Sequence, residues 1–227
     1  MDVNQHYRFA VPDRSYASLT KKDITRLAES FALSEGAVGK VNIIVSEMLT
    51  NLEKHTTQGG ELLVKAIGKP IKGIEIISLD NGPGMIDPER MQEDGVSTFG
   101  SAGEGLGAIK RQSDVFDLYS LPQVGTVIVT RVYKSAKSIP AARRYDIGSV
   151  MVPKPKEVDC GDGYAVIHHE RGAYVLALDG LGHGTHAQEA AQLAVKTFCE
   201  NPIPDPALAL QTIHNSIRRT RGAVGFA

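Results

Sequence analysis

Glu47, Asn51 and His55 recur every four residues within a stretch of helical apolar spacing, so all three project along one stripe beside the apolar one. A carboxylate one turn from a carboxamide can divide the work of phosphate chemistry. The amide oxygen holds a hard divalent cation, while the carboxylate receives a proton or orients a nucleophile. The same spacing also suits a solvated helix face. Asp80 closes the β-rich run GIEIISLD and is followed directly by Asn81-Gly82-Pro83-Gly84. A carboxylate at a strand end, beside glycines that admit a close ligand, can accept a hydrogen bond from an exocyclic amine such as that of adenine. A turn without a chemical task is the alternative. The run Gly100-Ser101-Ala102-Gly103-Glu104-Gly105-Leu106-Gly107 then leads into AIKRQSD, which reads as a helix start. Such a run can wrap backbone N–H groups around phosphates, with the helix N-terminus adding a favourable dipole. No Lys-Ser/Thr follows it and no strand precedes it, which excludes the P-loop and the Rossmann fingerprint.

A second constellation lies downstream. Asp162, in Cys160-Gly161-Asp162-Gly163, precedes one strand signal, and Asp179-Gly180-Leu181-Gly182-His183-Gly184 closes the next before a helix begins. Two carboxylates at adjacent strand ends can bridge a pair of divalent ions, with the Gly180 carbonyl able to reach the metal; two ordinary β-turns are the alternative.

The elements that must position these residues follow from periodicity. A strand is expected over 6–11, a helix over 15–31, and a second helix from the Ser34 cap to about His55, with Val38, Val41, Ile44, Val45, Met48 and Leu52 as its apolar stripe. ELLVKAIG and GIEIISLD form one hairpin signal, SDVFDLYSL and GTVIVTRVY another. Two helices on one face of a mainly antiparallel sheet make an α/β sandwich. KSAKSIPAARR, residues 134–144, is basic, rich in small residues and non-periodic, as a linker is. Beyond it YDIGSVMVP, GYAVIHHE and AYVLALDG predict three strands, and 185–200 and 206–218 predict two helices, before RRTRGAVGFA opens a further strand. The expected division is therefore 1–134, a linker over 135–144, and 145–227.

Composition excludes several classes. With 25 Lys+Arg against 26 Asp+Glu and a pI near 6.7, the 227-residue chain has no global field to draw it onto nucleic acid or an anionic membrane. Trp is absent and aromatics are only 6%, which weakens a base-stacking platform. No apolar run approaches the ~18 residues of a membrane span, and the first residues lack an apolar signal core, so a cytosolic protein is expected. Cys160 and Cys199 lie far apart and are read as free thiols. Glycine is the outlier, with seven residues clustered from Gly82 to Gly107 where bare backbone is needed.

The order Glu47-x-x-Thr50-Asn51-x-x-x-His55, then Asp80-x-Gly82-x-Gly84, then the 100–107 glycines, then Gly125-Thr126 at the start of a strand resembles the N, G1, G2 and terminal Thr boxes of the GHKL ATP-binding fold. That fold is shared by histidine kinases and anti-sigma-factor serine kinases. The resemblance covers residues ~6–133, and its compactness looks most like the serine kinases of the RsbT/RsbW kind. It implies ATP and Mg²⁺ as cofactors, with Glu47 as catalytic base, Asn51 as Mg²⁺ ligand and Asp80 as adenine reader. Gly82 and Gly84 become close-approach positions, Gly103, Gly105 and Gly107 line the phosphates, and Thr126 supports the adenine end. His55 or Lys110 would touch phosphate. The short stretch between Gly84 and Gly100 resembles the lid of a switch kinase more than that of a mechanochemical ATPase.

The Asp-Gly-x-Gly-His-Gly segment and its Ala-rich helix resemble the metal-binding segment of SpoIIE/RsbX-type PPM phosphatases, over ~145–227. Such enzymes use Mn²⁺ or Mg²⁺ to activate water against phosphoserine or phosphothreonine. The resemblance implies Asp162, Asp179 and the Gly180 carbonyl as ligands and makes His183, His168 and His169 non-ligands. It expects further aspartates on strands beyond Ala227, hence an incomplete phosphatase. The fold class is then α+β: a GHKL sandwich followed by part of a PPM αββα sandwich. Together the two resemblances imply a bifunctional partner-switching regulator. Its partners would be STAS-domain antagonists or stressosome proteins, with a sigma factor as a further candidate, no nucleic acid or membrane, and a homodimer compatible with the reading. The other reading is a nucleotide-sensing module that sequesters such a partner without phosphotransfer. A histidine-kinase fragment is disfavoured because no phosphoacceptor helix precedes the ATP-binding region.

Overall fold

The structure is a computed structural model and describes residues 4–56, 58–93, 105–140, 145, 147–170 and 172–227. The chain divides into two compact units, residues 7–140 and residues 141–227 together with the N-terminal segment ending at His6.

In unit 1 the order is β1 (Tyr7–Val11), α1 (Ala17–Ser30), α2 (Glu35–His55), β2 (Gly60–Ile67), β3 (Gly73–Asp80), α3 (Gly105–Gln112), β4 (Val115–Leu121) and β5 (Gly125–Tyr133). The five strands form one antiparallel sheet in the order β1-β2-β3-β5-β4. Register aligns Leu62, Ser78 and Ile128 in one row, Val64, Ile76 and Thr130 in the next, and Ala66, Ile74 and Val132 in a third. All nine are buried, and alternation puts them on one face of the sheet. That face meets the apolar stripe of α2, where Val41, Ile44, Val45, Met48 and Leu52 are also buried. Each aliphatic side chain removed from water in this way contributes about 1.5–3 kcal/mol. Helix α2 starts where the sequence says it should. Ser34 accepts a hydrogen bond from the Ala37 N–H at 3.3 Å, and Glu35 places negative charge in the first turn.

In unit 2, β6 (Asp162–His169), β7 (Gly172–Gly180) and β8 (Ala223–Phe226) form an antiparallel sheet in the order β6-β7-β8, with α4 (Thr185–Glu200) and α5 (Pro206–Ile217) packed on one face. The core joins Ala165, Leu176 and Leu178 to Ala191, Ala194 and Phe198 of α4 and to Ile213 and Ile217 of α5. Helix α5 is capped by Asp205, whose carboxylate accepts from the Leu208 N–H at 2.7 Å, with Pro206 at the first turn.

Two expectations change here. Residues 147–153 form no strand. Instead the Met151 carbonyl accepts from the His6 N–H at 2.7 Å, and the Met151 N–H donates to His6 Nδ1 at 3.3 Å. The N-terminal residues also pair elsewhere in unit 2, the Asn4 amide donating to the Tyr164 carbonyl at 3.0 Å and the Gln5 amide oxygen accepting from the Cys160 N–H at 3.2 Å. Residues 4–6 are thus fabric of the second unit, and the first sheet begins at Tyr7. Among the described residues unit 2 holds one three-stranded sheet with one helical layer, which is half of the layering a four-layer sandwich needs.

Candidate functional site

Helix α2 is the wall on which the first constellation is built. Glu47 and Asn51 are half-buried on its polar stripe, one turn apart. The start of α3 lies against them. A Cβ on Gly105 would sit 3.2 Å from Glu47 Oε2 and 3.5 Å from Asn51 Oδ1, so the absence of a side chain there leaves both groups in place. Gly107 is buried within α3, and Gly103 lies outside the described residues.

The other end of α2 meets the Asp80 turn. Register aligns Ser120, Thr126, Asp80 and Gly60 in one row across β4, β5, β3 and β2. The row lies on the helix-facing side of the sheet, since a Cβ on Gly60 would strike Leu52 of α2 at 2.6 Å. The Asp80 carboxylate accepts from the Gly82 N–H at 2.8 Å and from the Thr126 backbone. Burial raises the Asp80 carboxyl above its ordinary value, opposed by those two hydrogen bonds and by the nearby His55. Burial also lowers His55, with Lys54 adding to the effect and Asp80 partly offsetting it.

His55 therefore belongs to the Asp80 end, two turns from Glu47. Its carbonyl faces Gly82, where an added Cβ would come within 2.8 Å. Lys110 donates to the Gln92 side-chain oxygen at 3.1 Å. Gly84 has a different reason from the one expected. Its φ is +65°, and a Cβ there would lie 1.9 Å from the Leu121 carbonyl. Protein packing, rather than room for a ligand, forbids its side chain.

Sequence reasoning missed Ser120. Its hydroxyl accepts from the Met85 N–H at 2.9 Å, donates to the Gly125 carbonyl at 3.1 Å, and lies 2.9 Å from the Thr126 hydroxyl. The signal was present in the SDVFDLYSL/GTVIVTRVY hairpin, where pairing the strand ends sets Ser120 opposite Thr126.

In unit 2, Asp162 and Asp179 are register partners, both exposed, at the rim of a cavity of about 490 Å³ that Gly180, Glu157, Asp159 and His183 also line. His183 Nδ1 is 2.7 Å from the Glu157 carboxylate, and the Thr185 hydroxyl donates to Asp159 at 3.0 Å. His169 stacks on Tyr174 at 4.6 Å between ring centroids. Among the described residues no three His, Cys, Asp or Glu side chains are arranged to hold a metal ion. The described residues therefore leave the ligand set of a two-metal centre incomplete. The hard oxygen of Asn51, set beside Glu47 and a glycine-led helix N-terminus, does fit a magnesium ion carried by a polyphosphate. Among the described residues no helix is long and apolar enough to cross a membrane.

Residues 12–131, just over half of the chain, match the histidine kinase-like ATPase domain. The serine/threonine-protein kinase RsbT of Bacillus subtilis (strain 168) is 35% identical over 89 residues, which is 39% of this chain and 67% of that protein. A mycobacterial sensor histidine kinase, MprB, aligns over 56% of this chain and 97% of its own at 15% identity, with a TM-score of 0.38.

Proposed function

This chain belongs to the histidine kinase-like ATPase family, and from that premise we propose that unit 1 is an ATP-dependent protein serine/threonine kinase. The observation that carries the proposal is the approach of Gly105 to both Glu47 and Asn51, which gathers a base, a cation ligand and a phosphate-facing helix end from two separate elements. Glu47 accepts the proton of the substrate hydroxyl, and Asn51 holds magnesium through its amide oxygen. When bound, that ion neutralises charge on the phosphates. Asp80 receives the exocyclic amine of adenine, Gly105 and Gly107 line the phosphates, and Thr126 backs the purine end.

The relative named as a serine/threonine-protein kinase supports a protein hydroxyl as acceptor. The client we propose is a STAS-domain antagonist or stressosome protein in a bacterial partner switch. The test is transfer of γ-phosphoryl label from ATP to such a protein, with Glu47→Gln losing transfer while still binding ATP. Co-purification with the client but no transfer in the unaltered chain would instead favour a nucleotide-sensing module.

For unit 2 we propose relatedness to metal-dependent phosphoserine/phosphothreonine phosphatases. Support comes from the register pairing of Asp162 with Asp179 at the mouth of a cavity that Gly180 also lines. With the described residues short of a metal set, no catalytic step is assigned to it. Calorimetric Mn²⁺ titration of the full chain, compared with Asp162→Asn, tests this reading: equal heats in both would end it.

A further inference from the structure

The row Ser120–Thr126–Asp80 contains one hydroxyl whose hydrogen bonding is fully determined. A serine hydroxyl has one proton and two acceptor lone pairs. Ser120 faces the Met85 N–H, which only donates, and the Gly125 carbonyl, which only accepts. Its own proton therefore goes to Gly125, and one lone pair takes the Met85 N–H. The Thr126 hydroxyl, 2.9 Å away, is left with the single role of donor to Ser120. This is the one arrangement that satisfies all three contacts. Thr126 spends its proton inside the protein, and its oxygen can then only accept. Its register partner Asp80 also presents acceptors.

We propose that Ser120 is a specificity-positioning residue: by consuming the Thr126 proton it makes the purine end of the site a pair of acceptors, which selects a 6-amino purine over a 6-oxo purine. The inference rests on the nucleotide-binding reading of unit 1. An amino group can donate both of its hydrogens to such a pair, whereas a 6-oxo purine brings only its N1–H as a donor there and sets its 6-oxygen against an acceptor. Ser120 sits across the hairpin from Thr126, with its hydroxyl engaged by Met85, Gly125 and Thr126. It acts through the proton it captures, and its bond to Met85 N–H fixes the turn that follows Asp80.

The experiment compares dissociation constants of ATP and inosine triphosphate, which differ at the 6-position and its adjoining ring nitrogen, for the full chain and its variants. The unaltered chain should favour ATP by about tenfold or more. Ser120→Ala frees the Thr126 hydroxyl to donate, so the ATP preference should shrink roughly fivefold, while Ser120→Thr, which keeps a hydroxyl, should retain it. A structural role in the turn would weaken both nucleotides together and leave the ratio unmoved, and that result overturns the proposal. If Ser120→Ala does not fold, Thr126→Val serves instead, and an unchanged ratio there is equally fatal. Failure of the unaltered chain to bind ATP would overturn the nucleotide reading itself, whereas ATP binding with an indifferent ratio in the variants would overturn only the role of Ser120.

Discussion

The two units each place acidic side chains near glycines, yet they do so by different means. In unit 1 the pieces come from separate elements: Glu47 and Asn51 from the middle of α2, Gly105 from the start of α3, Asp80 from the end of β3, Thr126 from the start of β5. Specific contacts join them, through Gly105 against Glu47 and through Gly82 against Asp80 and the end of α2. In unit 2, Asp162 and Asp179 are neighbours only because two strands pair, and both face solvent. The difference teaches that adjacency imposed by a ladder is weaker support for chemistry than convergence from distant parts of the chain. Convergence must be maintained by packing, and packing leaves its own marks, such as glycines that no other residue can replace.

The sharpest way to break this comparison is Glu47→Gln. Loss of a general base costs about 10²–10⁴-fold in rate, so phosphoryl transfer should fall by that factor with ATP affinity nearly unchanged. The corresponding change Asp179→Asn should leave transfer by unit 1 untouched. Next in size is Phe198→Ala, which empties a core position that is 3% exposed in unit 2. It should destabilise that unit by about 3–5 kcal/mol, seen as lost hydrogen-exchange protection in α4 and β7, while ATP binding persists. Loss of ATP binding in step with it would show that the two units unfold together. Gly105→Ala comes third. Its methyl meets the Glu47 carboxylate, and a displacement of a few tenths of an ångström should reduce transfer about tenfold or more while affecting thermal stability much less.

The smallest effects concern pH. His55 is held below its ordinary value, so the folded state favours the neutral ring. Its contribution to stability is complete above the unfolded value of 6.5 and is lost as pH falls from there through the lowered folded value. His55→Gln should flatten the pH dependence of the urea midpoint in that range. Asp80 has the opposite sign. Its raised carboxyl contributes stability that is present below the unfolded value of 3.8 and is lost as pH rises through the folded one. Asp80→Asn should therefore raise the neutral-pH urea midpoint of the ligand-free chain while weakening ATP binding.

Much of unit 1 was legible because periodicity and caps agree. The apolar stripe from Val38 to Leu52, the Ser34 cap and the two hairpins each fix an element whose position the others then constrain. The site was legible as residue types but not as reasons. Gly84 is a glycine because the Leu121 carbonyl occupies the space of its Cβ, and His55 lies at the Asp80 end because α2 terminates against Gly82. Neither follows from spacing along the chain. Ser120 escaped because a hydroxyl in a strand carries no local signal until its cross-strand partner is known. The missing strand over 147–153 is a case of competition, since apolar Ile147, Val150 and Met151 suit a ladder, but the backbone of Met151 bonds to His6, far away in sequence.

Helix α2 carries Glu47 at one point and His55, beside the Asp80 turn, eight residues later. At about 1.5 Å of rise per residue those points stand roughly 12 Å apart along a rigid rod. The helix is thus a gauge: under the proposed nucleotide reading it sets how far a ligand must stretch from its purine edge to its reacting end, and a shorter or longer molecule can satisfy one end of the gauge but not both. One residue inserted between Asn51 and His55 would lengthen the gauge only slightly but turn its two ends about 100° out of alignment.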